Sequence, residues 1–243
     1  MCYTPLIMFH TVFYVPLYNA LIFLTGSFWG SLGLAVVALT LIVKIILAPL
    51  AHKSIISQIE QKKLQPLIED LKKKYPDQKE QSAKLMELYK EHKTNPFAGC
   101  LLVLLQLPII IALYQVFLSG TTIVTGELYT FVHAPEVVKN MFLGLDMTAK
   151  GSTILALLAG VSQFAQMYFS PAMQNTTPVN ENSDTQTKMA ASMTSSMKYT
   201  MPIMITIFGY AVPGAVALYW IISNVFMIGQ EQYVIKKLNN KTA

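Results

Sequence analysis

Residues 27–50 read SFWGSLGLAVVALTLIVKIILAPL, an apolar run whose single charged member is Lys44. An α-helix needs about 20 apolar residues to cross the hydrocarbon core of a bilayer, so this run is long enough. The composition agrees, because 53% of the 243 residues are hydrophobic and 13% are charged, whereas soluble domains have about 25% charged residues. The sequence therefore predicts an integral membrane protein with 27–50 as its first span.

Four more apolar runs predict four further spans. They cover residues 96–118, 151–169, 199–212 and 213–229. Asn95-Pro96 is typical of a helix start, and Pro213-Gly214 predicts a tight turn. The last two runs would each be about 22 Å long against a hydrocarbon thickness of about 30 Å. Either their polar flanks extend the helices or the bilayer thins around them. The predicted fold is an all-α integral membrane protein with five transmembrane helices.

The segment 51–95 between the first two spans is rich in Lys, Glu and Gln. Its apolar residues recur at helical spacing, which indicates two amphipathic helices, and Tyr75-Pro76-Asp77 predicts the turn of a helical hairpin. Ten of the eighteen lysines lie in this segment. Because cytoplasmic loops are enriched in lysine, the hairpin is predicted to be cytoplasmic. The loop 170–198 and the tail 230–243 then lie in the cytoplasm, and the segment 119–150 lies outside.

The N-terminal segment 1–26 contains no Lys or Arg, so no secretory signal peptide is expected at the start. Residues 5–24 are apolar enough to be considered as a sixth span. Polar residues and Pro16 interrupt this run, which favours a helix lying in the outer membrane interface. The N-terminus is predicted to lie outside the cell in this topology.

Several classes of function are disfavoured by residue type. Cys2 and Cys100 are the only cysteines, and neither they nor the four histidines form a spacing typical of a metal site or a nucleophile with its base. No phosphate-binding loop is present, so the prediction is a protein that is not an enzyme and has no metal or cofactor. All eighteen basic residues are lysine, which excludes bidentate recognition of nucleic acid by arginine. The net charge of +5 is therefore interpreted as membrane-surface charge.

Polar residues inside the apolar runs are the candidate functional residues. Lys44 is the most informative, because a charge within a span is costly unless it faces water or a partner. Its alternative is that the side chain reaches the interface, about 9 Å away, without any role. Thr40 lies one helical turn from Lys44 on the same face. The remaining polar candidates in the apolar runs are Gln106, Gln163, Gln166, Ser223 and Asn224. They predict either a water-filled groove open to the cytoplasm or hydrogen bonds between helices.

The sequence resembles the YidC/Oxa/Alb insertases over nearly the whole chain after about residue 12. The resemblance is carried by Trp29-Gly30 through Leu50, Leu64-Gln65-Pro66, Lys93 through Cys100, Leu105-Gln106-Leu107-Pro108 with Ala112-Leu113-Tyr114, and Leu218-Tyr219-Trp220 with Ser223-Asn224. It implies a core of five spans with a cytoplasmic hairpin, and it makes Trp220 a groove aromatic. The sequence departs from the family pattern at Lys44, where the family usually carries arginine.

The resemblance implies a membrane protein insertase and chaperone of the bacterial plasma membrane, working alone or with the secretion channel. Its expected partners are nascent membrane proteins, the lipid bilayer, the ribosome and the secretion channel. A hydrophilic groove would receive the polar part of a substrate, and the third and fifth spans would form a greasy slide into the lipid. The alternative is a small-solute or ion transporter that uses Lys44 and the glutamines as its binding site.

The predicted topology separates the two cysteines across the membrane, with Cys2 outside and Cys100 at the cytoplasmic end of the second span. We expect no disulfide between them. A membrane-impermeant thiol reagent applied to intact cells should label Cys2 alone, and detergent should expose both. Equal labelling of both cysteines in intact cells would contradict the topology.

Overall fold

A computed structural model of the chain describes residues 4–75, 77–92, 94–95, 98–118, 125–171 and 185–242. The described residues form eight α-helices and one two-stranded sheet. The helices are α1 (Thr4–Phe9), α2 (Val15–Ser27), α3 (Leu32–Lys74), α4 (Gln78–Glu91), α5 (Ala98–Leu118), α6 (Thr153–Phe169), α7 (Thr185–Ala211) and α8 (Gly214–Thr242). The strands β1 (Met141–Phe142) and β2 (Leu145–Asp146) pair antiparallel. The chain is mainly helical, as predicted.

The N-terminal helices α1 and α2 are joined by a π-helical turn at His10–Tyr14 into one helical stretch. Residues Ile7–Ser27 are long and apolar enough to cross a membrane, and they pack against α3 and α5. Length and composition do not distinguish a span from an interfacial helix. The interfacial assignment of 1–26 stays a prediction, and residues 1–3 lie outside the described part of the chain.

A turn separates α2 from α3 and explains why the helix of the first span begins at Leu32, later than the predicted start at residue 27. Trp29 and Gly30 both have positive φ, and a Cβ on Gly30 would collide with the Val137 carbonyl oxygen. The Ser31 hydroxyl then accepts a hydrogen bond from the Leu34 backbone N–H at 3.4 Å and caps α3. Helical geometry is therefore established only after this turn.

The first span and the first hairpin helix form one continuous helix, α3, of 43 residues. At 1.5 Å per residue, α3 is about 65 Å long, roughly twice the hydrocarbon thickness. The second hairpin helix, α4, begins where the Asp77 side chain accepts a hydrogen bond from the Glu80 backbone N–H at 3.1 Å. Helix α4 follows α3 at the predicted turn, whose Pro76 lies outside the described residues, and the cytoplasmic place of this hairpin stays a prediction.

The last two helices are longer than the apolar runs that predict them. Helix α7 has 27 residues and α8 has 29, so each reaches about 40 Å. Of the two alternatives left by the sequence, the structure shows the extension by polar flanks. Residues 185–198 of the predicted loop 170–198 belong to α7, whereas 172–184 lie outside the described residues, as do Pro96 of the predicted helix start and 119–124 of the external segment.

The described part of the segment 119–150 fixes the turn between α7 and α8. The Gly214 backbone N–H donates to the Ala149 carbonyl at 3.0 Å, and the Ala215 N–H donates to the Met147 carbonyl at 2.8 Å. Met147 has no exposed surface. The tight turn predicted at Pro213-Gly214 is therefore held from the side by backbone hydrogen bonds.

Helix α8 lies at the centre of the bundle. It packs closely against α3 on one side and α6 on the other, while α5 packs on α3 and α7 packs on α6. The helices therefore form an arc in the order α5, α3, α8, α6, α7. Among the described residues, α5 and α7 make no more than marginal contact with each other. The arc is open between these two helices.

The packing of α6 on α7 depends on small residues. A Cβ on Gly160 would collide with the Thr206 hydroxyl oxygen, and a Cβ on Gly209 would lie 3.3 Å from the Ala156 Cα. Such close backbone approach is the usual way that helices associate where hydrophobic burial gives little drive. The Thr206 hydroxyl also donates to the Pro202 carbonyl at 2.9 Å, which holds its rotamer.

We predict that Gly160→Ala destabilises the protein by about 1–3 kcal/mol, because the added methyl forces α6 away from α7. Thermal unfolding of the purified protein in detergent measures the change. Gly26→Ala is the matched control, because a Cβ there meets no atom within 4 Å and alanine should stabilise the helix by about 0.5–1 kcal/mol. Thr206→Ala should partly rescue Gly160→Ala. Equal midpoints for the two alanine variants would contradict the packing.

Candidate functional site

Tyr219 joins two of the predicted site residues on the side of α8 that faces α5. The Gln106 amide of α5 donates a hydrogen bond to the Tyr219 hydroxyl, and the Ser223 side chain, one turn along α8, also bonds Tyr219. Tyr219 and Ser223 are buried. The structure thus brings Gln106 and Ser223 together through Tyr219. From the sequence, Tyr219 was named only as part of the Leu218-Tyr219-Trp220 motif.

Trp220 and Asn224 form the corresponding contacts on the side of α8 that faces α6. The Trp220 indole N–H donates to the Gln163 Oε1 at 3.2 Å, and the Asn224 amide donates to the Ser162 hydroxyl at 3.0 Å. The Trp220 ring also meets the Phe208 ring of α7 edge to face, with centroids 5.7 Å apart. Trp220 therefore contacts both helices on that side of the arc.

Thr40 is almost fully buried, and its hydroxyl donates to the Val36 carbonyl of its own helix at 2.6 Å. This bond satisfies the hydroxyl without water or a neighbouring helix. The structure therefore does not join Thr40 to the other polar candidates. Its predicted place in a groove stays a prediction.

Lys44 is partly exposed and lies one turn after Thr40 and one turn before Ala48 on α3. The Ala48 carbonyl accepts a hydrogen bond from the Gln230 amide of α8 at 2.7 Å, so this stretch of α3 adjoins α8. Within the part of the chain that the structure describes, Lys44 forms no ion pair. Its ammonium group is available to an acidic group from outside the protein, or to the interface.

Most of the polar candidates on α5, α6 and α8 form hydrogen bonds across helices, several of them to residues that the sequence did not single out. These contacts match the second of the two accounts that the sequence left open, in which glutamine, serine and asparagine hold the bundle together. They also concentrate polar side chains around α8, at the centre of the open arc. A groove at this position would be lined by polar side chains that are already held in place by hydrogen bonds to neighbouring helices.

Large apolar side chains are exposed on the two helices that border the opening of the arc. On α5 they are Leu104, Leu107, Ile111 and Leu118, and on α7 they are Met201, Ile203, Met204, Ile207, Phe208 and Tyr210. Helix α6 also has such a face, but α8 is buried from Ala215 through Tyr219. The expected slide of the third and fifth spans stays a prediction, with exposed apolar residues on α6 and, on α8, at Val225.

Glu231 is the site residue that sequence reasoning missed. It is 3% exposed, and its Oε1 accepts a hydrogen bond from the Gln166 amide of α6 at 3.2 Å. Its Oε2 is buried and has no partner among the described residues. The signal was available, because Glu231 lies two turns after Asn224 on the α6 side of the helix and directly follows the predicted fifth span.

Burial raises the pKa of the Glu231 carboxyl from 4.5 to about 7, although hydrogen bonds from Ser170 and Gln166 act in the opposite direction. A buried carboxylate without a cation is costly, so the neutral acid is favoured. Glu231 joins α8 to the end of α6 through its bond to Gln166. Below about pH 7 its carboxyl group is mainly protonated. Among the described residues, no group of three or more His, Cys, Asp or Glu is placed to hold a metal ion.

The model of the 60Kd inner membrane protein family matches residues 23–241. The chain belongs to this family. Relatives named membrane protein insertase YidC include one from Fusobacterium nucleatum, 33% identical over 88% of this chain and 90% of its own length. Another, from Oceanobacillus iheyensis, is 30% identical over 96% of this chain and 86% of its own length. The YidC-like resemblance of the sequence is confirmed.

Other members of the family are much longer than this chain. The relative from Pelobacter propionicus, also named membrane protein insertase YidC, is 31% identical, and the match covers 87% of this chain but 36% of that protein. A crystal structure of an active YidC insertase with its first transmembrane domain resolved has a TM-score of 0.58 and 26% identity, covering 91% of this chain and 45% of that one. The chain thus spans well under half the length of several relatives.

We predict that the stability of the protein falls as pH rises through about 7, because of Glu231. Its folded-state pKa is above the ordinary value, so its contribution is complete below about pH 4.5 and is lost as the buried acid ionises. The Glu231→Gln variant should lack this loss, and relative to it the wild type should weaken by about 2–3 kcal/mol between pH 5 and pH 8.

Thermal unfolding in detergent at a series of pH values measures the difference. Glu136→Gln is the matched control, because Glu136 is exposed, and it should follow the wild type at every pH. Parallel profiles for the wild type and Glu231→Gln would show that Glu231 is not buried as the structure describes.

Proposed function

We propose that this chain is a membrane protein insertase that helps other membrane proteins to enter and fold in the bacterial plasma membrane. In this proposal α3, α5, α6, α7 and α8 supply five spans. The hairpin, the loop before α7 and the C-terminal tail lie in the cytoplasm, and the N-terminus lies outside. The names of the relatives and the distribution of lysines support this arrangement.

The observation that carries the proposal is the arc of helices with a polar centre and apolar edges. Polar side chains from α5, α6 and α8 surround the central helix, while α5 and α7 expose apolar faces beside the opening between them. A substrate segment that must cross the bilayer has a polar part and an apolar part. The arc offers a matching surface to each.

Lys44 adds a positive charge on the helix next to α8. A substrate whose translocated segment carries Asp or Glu would be attracted to it, because charges interact more strongly where water is partly excluded. The apolar helix of the substrate would then move along the exposed faces of α5 and α7 into the lipid. Burial of apolar surface would drive this step with about 25 cal/mol for each Å² removed from water.

The proposed partners are the lipid bilayer, nascent membrane proteins, the ribosome and the secretion channel. Helix α3 and the hairpin would extend far enough into the cytoplasm to meet a nascent chain as it leaves a ribosome. The insertion step needs no chemical catalysis in this proposal. A polar surface within the bilayer shortens the stretch of hydrocarbon that the polar part of a substrate must cross, and this alone would raise the rate of insertion.

We predict that Lys44→Ala slows the insertion of substrates with acidic translocated segments by about tenfold or more and leaves uncharged substrates near the wild-type rate. The reason is a lost attraction of a few kcal/mol at contact distance in a medium less polar than water. Lys44→Arg should retain insertion of both kinds, since it keeps the charge. Insertion of paired acidic and neutral reporters into vesicles with the purified protein measures these rates.

Thr40→Val is the control for general disturbance of α3, because the Thr40 hydroxyl bonds only its own helix backbone. It should insert both reporters at similar rates. If Lys44→Ala inserted acidic and neutral reporters as the wild type does, Lys44 would only reach the interface and the electrostatic step would be wrong. Solute uptake without any insertion activity would favour a transporter instead.

A further inference from the structure

A cavity of about 720 Å³ lies between α3 and α8, next to the ends of the predicted first and fifth spans. Pro49 of α3 and Val225, Phe226 and Gly229 of α8 form an apolar wall. Small-molecule sites in proteins typically have volumes of about 300–1,000 Å³, and a transmembrane helix is about 10 Å across. The cavity therefore fits a slender molecule and is too small for a substrate helix.

The cavity is on a different face of α8 from the residues that bond α6, and its lining residue Ala48 lies one turn after Lys44 on α3. Asn224 and Glu231 bond α6, whereas Val225, Gly229 and Tyr233 recur every fourth residue and line the cavity. Val225 and Tyr233 are 58% and 62% exposed. This face of α8 is therefore directed to the surroundings of the bundle.

Lysine and histidine side chains lie at the end of the cavity that is predicted to face the cytoplasm. Lys53 and His52 line it on α3, and the Lys237 ammonium lies 5.8 Å from the centroid of the Tyr233 ring, which also lines it. The lining includes no acidic residue. An anionic group at this position would lie beside Lys53, with Lys237 near the Tyr233 ring.

The position of these groups along the helices matches the layers of a bilayer. Pro49, Val225 and Phe226 lie within the predicted spans, while Lys53, Tyr233 and Lys237 lie beyond their ends at Leu50 and Gly229. Lipid acyl chains lie at the depth of Pro49, Val225 and Phe226. Lipid headgroups lie at the depth of Lys53, Tyr233 and Lys237, where tyrosine and lysine are favoured. The cavity is apolar where chains lie and cationic where phosphates lie.

We propose that this cavity binds one anionic phospholipid, with an acyl chain against Pro49, Phe226 and Gly229 and its phosphate beside Lys53 and Lys237. The site depends on α3 and α8 lying in the membrane, as the proposed function has them. The bound lipid would cover the exposed surface between α3 and α8. A headgroup with a net negative charge complements the two lysines, whereas the choline of a zwitterionic headgroup offsets the charge of its phosphate.

The lysines can be tested by titrating the full-length protein in detergent with phosphatidylglycerol or with phosphatidylcholine of the same acyl chains, and counting bound lipids by native mass spectrometry. Phosphatidylglycerol should bind more tightly. Lys53→Gln and Lys237→Gln should each weaken it about fivefold and leave phosphatidylcholine unchanged. Lys73→Gln, on the exposed hairpin far along α3, is the matched control and should bind as the wild type does.

The cavity itself can be tested with Gly229→Leu, because a Cβ at Gly229 meets no atom within 4 Å and the side chain would fill the space. This variant should lose binding of the first phosphatidylglycerol while unfolding at the wild-type temperature or above. Gly26→Leu, at another glycine with open space, should bind normally.

Three results would overturn the proposal. They are equal binding of the two lipids by the wild type, equal effects of Lys53→Gln and Lys73→Gln, and normal lipid binding by Gly229→Leu. Loss of a protein dimer in Gly229→Leu with lipid binding intact would assign the cavity to a second copy of the chain.

Discussion

Polar side chains within a bilayer must find partners inside the protein, and in this chain one helix satisfies most of them. Helix α8 places Tyr219 toward α5 and Trp220 and Asn224 toward α6. Water cannot replace these bonds in hydrocarbon, so the helices that carry the partners must stay beside α8. This constraint holds α5 and α6 against α8, while α7 is held mainly by its packing on α6.

Glu231 and Lys44, two ionisable groups near α8, differ in burial and in hydrogen-bond partners. Glu231 is buried and accepts hydrogen bonds from the end of α6, so its environment favours the neutral acid. Lys44 remains partly exposed and has no acidic partner in the described part of the chain. The bundle thus buries the acidic group, which raises its pKa, and leaves the lysine for an external partner. Under the proposed function, this asymmetry would favour substrates with acidic segments.

Much of the fold could be predicted from the sequence, because long apolar runs and helical periodicity are local signals. The hairpin, the helix after Ser152 and the turn at Pro213-Gly214 follow from such signals. The union of the first span with the hairpin into α3 was not predicted, since a change from apolar to polar composition does not end a helix when no breaker intervenes. Pro49 lies at that change and is tolerated inside the helix.

The candidate site was predictable only as a set of residue types. Gln106, Gln163, Ser223 and Asn224 were identified because polar residues are conspicuous in apolar runs, but their pairing needs the relative rotation of three helices. Tyr219 and Ser162 were less conspicuous, since tyrosine and serine are common in membrane helices. Glu231 was missed because it follows the apolar run, where a charged residue is ordinarily assigned to the solvent.

The continuity of α3 makes the hairpin a mechanical extension of the first span. About 24 residues continue beyond Leu50 at 1.5 Å each, so the tip of α3 lies roughly 36 Å from the membrane end of the span. A tilt of the span by about 10° would then displace that tip by about 6 Å. Unless the helix bends at Pro49 or Pro66, a force applied to the hairpin would act as a torque on the helix that carries Lys44.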